Sequence, residues 1–182
     1  MPDRMTVAIV GGGPAGATCA RQLSLAGFRV TLFEARPADE KPCGGGIPAE
    51  AMRDFPELSD PALSRRVVRE VEVYGPSDRR VRVVVPGGIH IFRRVELDSF
   101  LRERAAASGA AVVHARVSSA RRRAHAWELS TDKGDAGPFD ALVAADGVRG
   151  GIRRSLAGRW REGRLTLALY GYVAGAARPQ MV

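Results

Sequence analysis

The sequence predicts an α/β protein built on a doubly wound, mostly parallel sheet, with a small antiparallel β insertion. Three observations predict this fold. A short apolar run ends in three glycines at 11–13, a helical pattern follows directly, and strand patterns then alternate with a second helix. The chain of 182 residues is long enough to bury a hydrophobic core of its own.

The opening βαβ unit has the clearest pattern. Thr6 to Val10 is typical of a buried strand, and a helix is predicted from Pro14 to about Leu25, ended by Gly27. A second strand is predicted from Arg29 to Glu34. The small residues expected to form the close-packing face of the helix are Ala15, Cys19 and Leu23.

The middle of the chain predicts a loop followed by short strands. Glycines and prolines dominate after Pro37, and a short helical segment is expected near Ala49 to Phe55. Apolar patterns at 67–74, 81–85 and 89–92 predict an antiparallel meander. We assign this loop and meander to an insertion at about residues 43–92.

The second half returns to the α/β pattern. Leu97 to Ser108 has one apolar and one charged face, which is typical of a helix, and Gly109 ends it. The segment after it is predicted as strands at 111–117, 118–124 and 126–130, a turn at 132–138 and a strand buried on both faces at 139–145. Residues 1–160 are therefore predicted to form the main domain.

Composition narrows the classes of function. The net charge of +8 comes almost entirely from arginines, which are scattered without interleaved aromatic residues, so we predict no nucleic-acid partner. Two cysteines are too few for a disulfide scaffold, and we expect a cytoplasmic protein. No apolar stretch is long enough to cross a bilayer, which leaves peripheral membrane contact as an alternative. No metal site is predicted.

The glycine run carries the main functional signal. Gly11 to Gly16 fits G-x-G-x-x-G between a strand and a helix, where a pyrophosphate approaches the backbone and the helix N-terminus. Glu34 ends the second strand about 20 residues later, where an acid binds ribose hydroxyls and disfavours a 2′-phosphate. We predict a Rossmann-like dinucleotide site, with FAD and NAD both open at this point. Its candidate residues are Gly11, Gly13, Pro14, Ala15, Gly16, Glu34 and Ala35.

Three segments resemble the FAD-dependent hydroxylase and reductase superfamily. Val7 to Glu34 resembles its opening, the segment from Arg94 to Asp98 resembles its R-x-x-L-D segment, and Ala145-Asp146-Gly147 resembles its A-D-G motif. The resemblance implies that Arg94, Asp146 and Gly147 contribute to FAD binding. Gly150 departs from the pattern, because a serine commonly caps the next helix there, so a lost cap and weaker binding are expected.

The segment from Lys41 to Pro48, KPCGGGIP, resembles a loop of the geranylgeranyl reductases. The sequence from Arg93 to Ala105 also resembles the corresponding sequence of that family. This resemblance implies that Cys43, Gly44 and Gly45 lie against the flavin, since glycines let a loop approach a planar ring. Cys43 is the candidate catalytic residue. Simple packing of Cys43 as a small apolar residue is the alternative, because Lys41 is its one basic neighbour in sequence.

The resemblance implies an FAD-dependent oxidoreductase that reduces double bonds of a geranylgeranyl chain on a pigment, lipid or prenyl diphosphate. NAD(P)H or another reductant would supply electrons. The alternatives are an FAD-dependent aromatic monooxygenase, or a truncated chain without turnover. The resemblance implies a substrate domain after the FAD-binding domain, so we expect residues 161–182 to begin an incomplete substrate domain with its first strand at 165–173. Because that strand would have unpaired backbone groups, we expect the isolated chain to aggregate or to need a partner segment.

Overall fold

The computed structural model describes residues 4–37, 40–77 and 79–159, and these divide into two compact units. The first unit comprises residues 4–37 and 97–159, and the second comprises 40–77 and 79–96. The predicted substrate-domain segment at 161–182, including the strand at 165–173, lies outside the described residues.

Ten strands and four helices make up the described chain. The strands are β1 (Thr6–Val10), β2 (Arg29–Phe33), β3 (Gly46–Pro48), β4 (Arg65–Tyr74), β5 (Arg80–Phe92), β6 (Ala111–Val113), β7 (Val117–Arg123), β8 (Ala126–Thr131), β9 (Gly134–Phe139) and β10 (Ala141–Ala144). The helices are α1 (Pro14–Leu25), α2 (Ala49–Asp54), α3 (Arg94–Ala107) and α4 (Gly151–Ala157), with a 3-10 turn at Pro56–Ser59.

The first unit contains a parallel sheet in the order β10-β1-β2-β6. Because β1 lies in the middle, the chain leaves it on one side through α1 to β2 and later returns on the other side as β10. The carboxyl ends of β1 and β10 therefore lie side by side, which is where a doubly wound sheet binds its ligand. The predicted fold class is confirmed.

Helix α1 packs on this sheet through a different face from the one predicted. Its buried residues are Gly16, Ala17 and Ala20, whereas Ala15 is exposed and Cys19 and Leu23 are half-buried. The predicted face of α1 is wrong because small residues occur on every side of this helix. The residues in contact are the ones that allow the closest approach of helix and strand, with glycine among them.

A second sheet of the first unit has the antiparallel order β7-β8-β9. The predicted hairpin at 118–130 is confirmed as β7 and β8, but the predicted turn at 132–138 is wrong, since most of it is β9. The sequence of β9, Gly-Asp-Ala-Gly-Pro-Phe, has low strand propensity, and pairing with β8 overrides it. Thr131 closes the turn through hydrogen bonds to Lys133 N–H and to the Gly134 carbonyl.

The core of the first unit lies between the two sheets. Phe33 and Phe139 meet edge to face, with ring centroids 6.1 Å apart and planes at 89°. The buried members of this core are Ala8, Val10, Phe33, Ala115, Leu129, Phe139 and Ile152. β10 is half-buried rather than buried on both faces as predicted, and it lies at an edge of the described sheet.

The second unit is an antiparallel sheet in the order β3-β5-β4, with α2 beside it. β5 is one strand of 13 residues that joins the two strands predicted at 81–85 and 89–92. The Pro86-Gly87-Gly88 segment between those two predicted strands continues the strand, and Gly87 and Gly88 have positive φ angles. The pairing of β4 with β5 shifts register between Val68 and Glu70, which accommodates this irregular segment.

Candidate dinucleotide site

The glycine run connects β1 to α1 in a turn that side chains would block. Gly11 has φ +104°, a conformation that favours glycine, and its N–H donates to the Phe33 carbonyl at 2.8 Å. A Cβ at Gly11 would overlap the backbone carbonyl of Ala145. The turn is therefore fitted between the ends of β2 and β10, and its conformation depends on glycine.

Gly16 brings the first turn of α1 against this loop. A Cβ at Gly16 would overlap the Gly11 carbonyl oxygen and would lie 3.2 Å from the Ala145 side chain. Since α1 begins at Pro14, the first N–H groups of the helix have no acceptor within it. Pro14 and Ala15 are exposed at this helix start, with Gly13 as the N-cap.

Glu34 is held rigidly beside the loop at the end of β2. Its side chain is 5% exposed, and its Oε2 accepts the Gly12 N–H at 2.7 Å while Oε1 accepts the Arg36 N–H at 2.9 Å. Ala35, the next candidate residue, is exposed. The carboxylate is thus fixed in orientation at the position where the fold places the acid that binds ribose.

A buried arginine that the sequence analysis missed reaches the same loop. Arg102 lies on α3 and is 7% exposed. Its Nη1 donates to the Gly12 carbonyl at 3.2 Å and its Nη2 donates to the Pro37 carbonyl at 2.7 Å. Its position in α3 was the available signal. Arg102 follows the buried Leu101 and lies four residues after the buried Asp98, which places it next to the buried face of the helix.

Asp146 and Gly147 follow β10, next to the glycine run. The Asp146 carboxylate accepts the Ile152 N–H at 2.8 Å and the Arg153 N–H at 3.2 Å, so it caps α4. The expected lost cap at Gly150 is therefore wrong. A Cβ at Gly150 would overlap the Asp146 carboxyl group, so the glycine makes room for a cap that comes from four residues earlier.

The remaining candidates lie in the second unit. Cys43 and Gly44 are exposed, and Gly45, with φ +68°, is buried where a Cβ would overlap the Phe92 carbonyl. The Gly45 N–H donates to Cys43 Sγ at 3.4 Å. Arg94 begins α3 and is half-buried. Contact of these four residues with a flavin stays a prediction.

The two cysteines of the chain differ in their surroundings. Cys19 is half-buried in α1, and burial raises the pKa of its thiol, so it stays protonated at neutral pH. Cys43 is exposed in the glycine loop of the second unit. Of the two, Cys43 is the thiol that a substrate or reagent can reach.

The first unit therefore fits a dinucleotide on three grounds. The glycines at 11 and 16 have no room for side chains, a helix N-terminus faces the loop, and a fixed carboxylate ends the neighbouring strand. These groups bind and orient a ligand. The first unit offers no obvious catalytic side chain among its described candidates, so redox chemistry would have to come from a bound cofactor.

A comparison with protein-family models agrees with this geometry. The model of the pyridine nucleotide-disulphide oxidoreductases matches residues 5–149, from the start of β1 to the end of the Asp146 turn. The chain belongs to this family. Membership confirms the predicted oxidoreductase class.

Among proteins similar to this chain are reductases that act on geranylgeranyl compounds, by their names. A geranylgeranyl diphosphate reductase of Synechocystis sp. is 35% identical over 150 residues, which cover 80% of this chain and 34% of that protein. A crystal structure of a geranylgeranyl bacteriochlorophyll reductase-like protein from Thermoplasma acidophilum has a TM-score of 0.72 at 23% identity, covering 85% of this chain and 43% of the other.

Halogenase PltM, solved with phloroglucinol and FAD, has a TM-score of 0.69 at 19% identity, covering 87% of this chain and 37% of PltM. The comparisons confirm the resemblance to geranylgeranyl reductases, and the chain shares its fold with a protein that was solved with FAD. The chain spans about a third of the length of the curated relatives that it matches.

Within the described residues, no helix is both long and apolar enough to cross a membrane. The same residues contain no group of three or more His, Cys, Asp or Glu side chains placed to hold a metal ion.

Proposed function

We propose that this chain is the dinucleotide-binding part of an FAD-dependent reductase that saturates double bonds of a geranylgeranyl chain. The observation that carries the proposal is the glycine run from Gly11 to Gly16, here called the glycine crest, with the fixed Glu34 carboxylate beside it. The chain is 35% identical over 150 residues to a geranylgeranyl diphosphate reductase. Residues 1–160 would form the FAD-binding domain, with the loop and meander at about 43–92 as an insertion.

The residues of the first unit would bind FAD from its adenosine end to its pyrophosphate. Glu34 would accept the ribose hydroxyls, and the backbone from Gly11 to Gly16 would receive the pyrophosphate at the start of α1. Asp146 and Gly147 would close the site from the β10 side. Reduced FAD supplies hydride when bound, and the protein contributes position and exclusion of water.

The second unit would contribute the residues nearest the reacting bond. Cys43, Gly44, Gly45 and Arg94 would lie against the flavin, with Cys43 as the candidate catalytic group because its thiol is exposed. The electron donor would be NAD(P)H or another reductant. Because Glu34 disfavours a 2′-phosphate, an NADPH donor would approach elsewhere and would not occupy the crest.

The substrate would be an isoprenoid chain on a pigment, a lipid or a diphosphate. A net charge of +8 favours an anionic carrier group or an anionic membrane surface. The test is an anaerobic incubation of the protein with FAD, dithionite and geranylgeranyl diphosphate, followed by mass spectrometry. We expect products heavier by two hydrogens per step, with a loss of turnover in Cys43→Ala and not in Cys19→Ala. Flavin binding without any reduced product would contradict the proposal.

An FAD-dependent monooxygenase acting on an aromatic compound is the second candidate. The fold shared with halogenase PltM, solved with phloroglucinol and FAD, favours it. Oxygen consumption that increases with an aromatic ligand would support this candidate, and oxygen-independent turnover would exclude it. Flavin binding without turnover in both assays would support the third candidate, a chain that needs a partner segment for activity.

A further inference from the structure

The buried arginine on α3 raises a question of function, because a guanidinium is costly to remove from water unless its donors are satisfied. Arg102 is 7% exposed. Its guanidinium donates hydrogen bonds to the Gly12 carbonyl, the Pro37 carbonyl and, at 3.0 Å, the Ser99 hydroxyl. Two of these acceptors are backbone carbonyls, one before β2 and one after it along the chain. The first belongs to Gly12 of the glycine run, and the second to Pro37, three residues after Glu34.

The Gly12 peptide groups are held from both sides. The N–H of Gly12 donates to Glu34 at 2.7 Å, and its carbonyl accepts from Arg102. A Cβ at Gly12 would lie 2.9 Å from Glu34 Cβ and 3.0 Å from Arg102 Cδ, so the loop passes between the acid and the arginine with no space to spare. A glycine in such a loop would otherwise rotate easily.

The Gly12 carbonyl shares one peptide plane with the N–H of Gly13. In a planar trans peptide these two groups point in opposite directions, so the bond from Arg102 to the carbonyl fixes where the Gly13 N–H points. That N–H belongs to the N-cap of α1, next to the start of the helix where the pyrophosphate is expected. The guanidinium therefore acts on the ligand through the backbone, and its own donors are directed at the protein.

We propose that Arg102 is a positioning residue for the pyrophosphate of the bound dinucleotide, acting by clamping the Gly12–Gly13 peptide. The inference rests on the proposed dinucleotide-binding function. It separates two roles at the crest: Glu34 serves the ribose directly, and Arg102 orients an N–H group for the pyrophosphate.

The test compares ligands with and without a pyrophosphate. Dissociation constants of FAD, ADP and adenosine are measured for the wild type, Arg102→Met and Arg102→Lys by fluorescence titration or calorimetry. Loss of charge-assisted hydrogen bonds predicts that Arg102→Met binds FAD and ADP about 10- to 100-fold more weakly. Adenosine binding should change by less than about threefold, because a lost clamp does not alter the ribose acid. Arg102→Lys keeps the charge but lacks the planar guanidinium, so its affinity for FAD and ADP should lie between those of the wild type and Arg102→Met.

The matched control is Arg104→Met, which removes another arginine of α3, one that lies over the Phe100 ring at 5.4 Å. It should leave all three dissociation constants unchanged. The ratio of ADP to adenosine affinity does not depend on the fraction of folded protein, so a merely structural role for Arg102 would leave that ratio constant and overturn the inference. Equal binding by the wild type and both Arg102 variants would overturn it as well. A wild type that binds none of the ligands would instead reject the proposed function, and the inference with it.

Discussion

At the scale of single residues, the site consists of backbone groups fixed by a few buried or bridging side chains. Glu34 and Arg102 hold Gly12 from opposite sides, and Asp146 caps α4 across the space left by Gly150. None of these contacts is a ligand contact in itself. They determine where backbone N–H groups point, and such groups donate hydrogen bonds to a pyrophosphate.

Asp140 and Thr6 form a comparable bridge where β10 begins beside β1. The Thr6 N–H and Oγ1–H both donate to Asp140 Oδ2, at 2.7 and 2.8 Å. The Thr6 backbone N–H is the main cause of a lowered pKa of Asp140, with the Thr6 hydroxyl next. A carboxyl whose folded pKa is depressed stabilises the fold above its unfolded pKa, about 3.9, and loses this contribution as the pH falls through the folded value.

We therefore expect Asp140→Asn to lower the free energy of unfolding at pH 7, and the deficit to shrink as the pH falls below about 4. Urea denaturation of both proteins at pH 7 and pH 3 measures it. Thr6→Val, which keeps the N–H and removes the hydroxyl, should retain part of the pH dependence. A deficit of the same size at both pH values would show that the charge of Asp140 has no role.

At the scale of elements, the patterns of the sequence predict most helices and strands where local signals agree. β1 and α1 have the predicted bounds because an apolar β-branched run, three glycines and an N1 proline all favour the same structure. β9 was missed because its glycines and proline indicate a turn, and the packing face of α1 was misplaced because small residues occupy every side of it. Contacts between elements decided both cases.

The start of α4 shows how a distant side chain replaces a local signal. Its N-cap residue is Gly150, and the cap comes from Asp146. Asp146→Ala should lower the free energy of unfolding by about 1 kcal/mol, the usual cost of a lost cap. Gly150→Ser should also destabilise the fold, by about 1–3 kcal/mol, because the new Cβ would overlap the Asp146 carboxyl group.

Chemical denaturation of the single and double variants separates the two effects. In Asp146→Ala the space beside residue 150 is open, so adding Gly150→Ser should cost less than it does in the wild type and restore part of the cap. Additive losses in the double variant would mean that the carboxyl group and residue 150 do not compete for the same space.

At the scale of the whole molecule, the chain joins a dinucleotide-binding unit to a smaller antiparallel unit that carries the cysteine-glycine loop. The glycine crest and Glu34 could be predicted from the sequence because each has a fixed place in a βαβ unit. Arg102 could not, since its role depends on the approach of α3 to a loop 90 residues earlier. Family membership establishes the class, and the proposed isoprenoid substrate rests on similarity to relatives of which the match covers about a third.

A titration of the purified chain with FAD tests whether the glycine crest between β1 and α1 holds this cofactor. Visible absorption and quenching of flavin fluorescence report binding. We expect a saturable complex for the wild type and for Gly151→Ala, which changes a glycine with open space beside it. Gly16→Ala should bind at least about 100-fold more weakly, because its Cβ would overlap the Gly11 carbonyl. No binding by the wild type, or equal binding by Gly16→Ala, would show that FAD does not bind at the glycine crest.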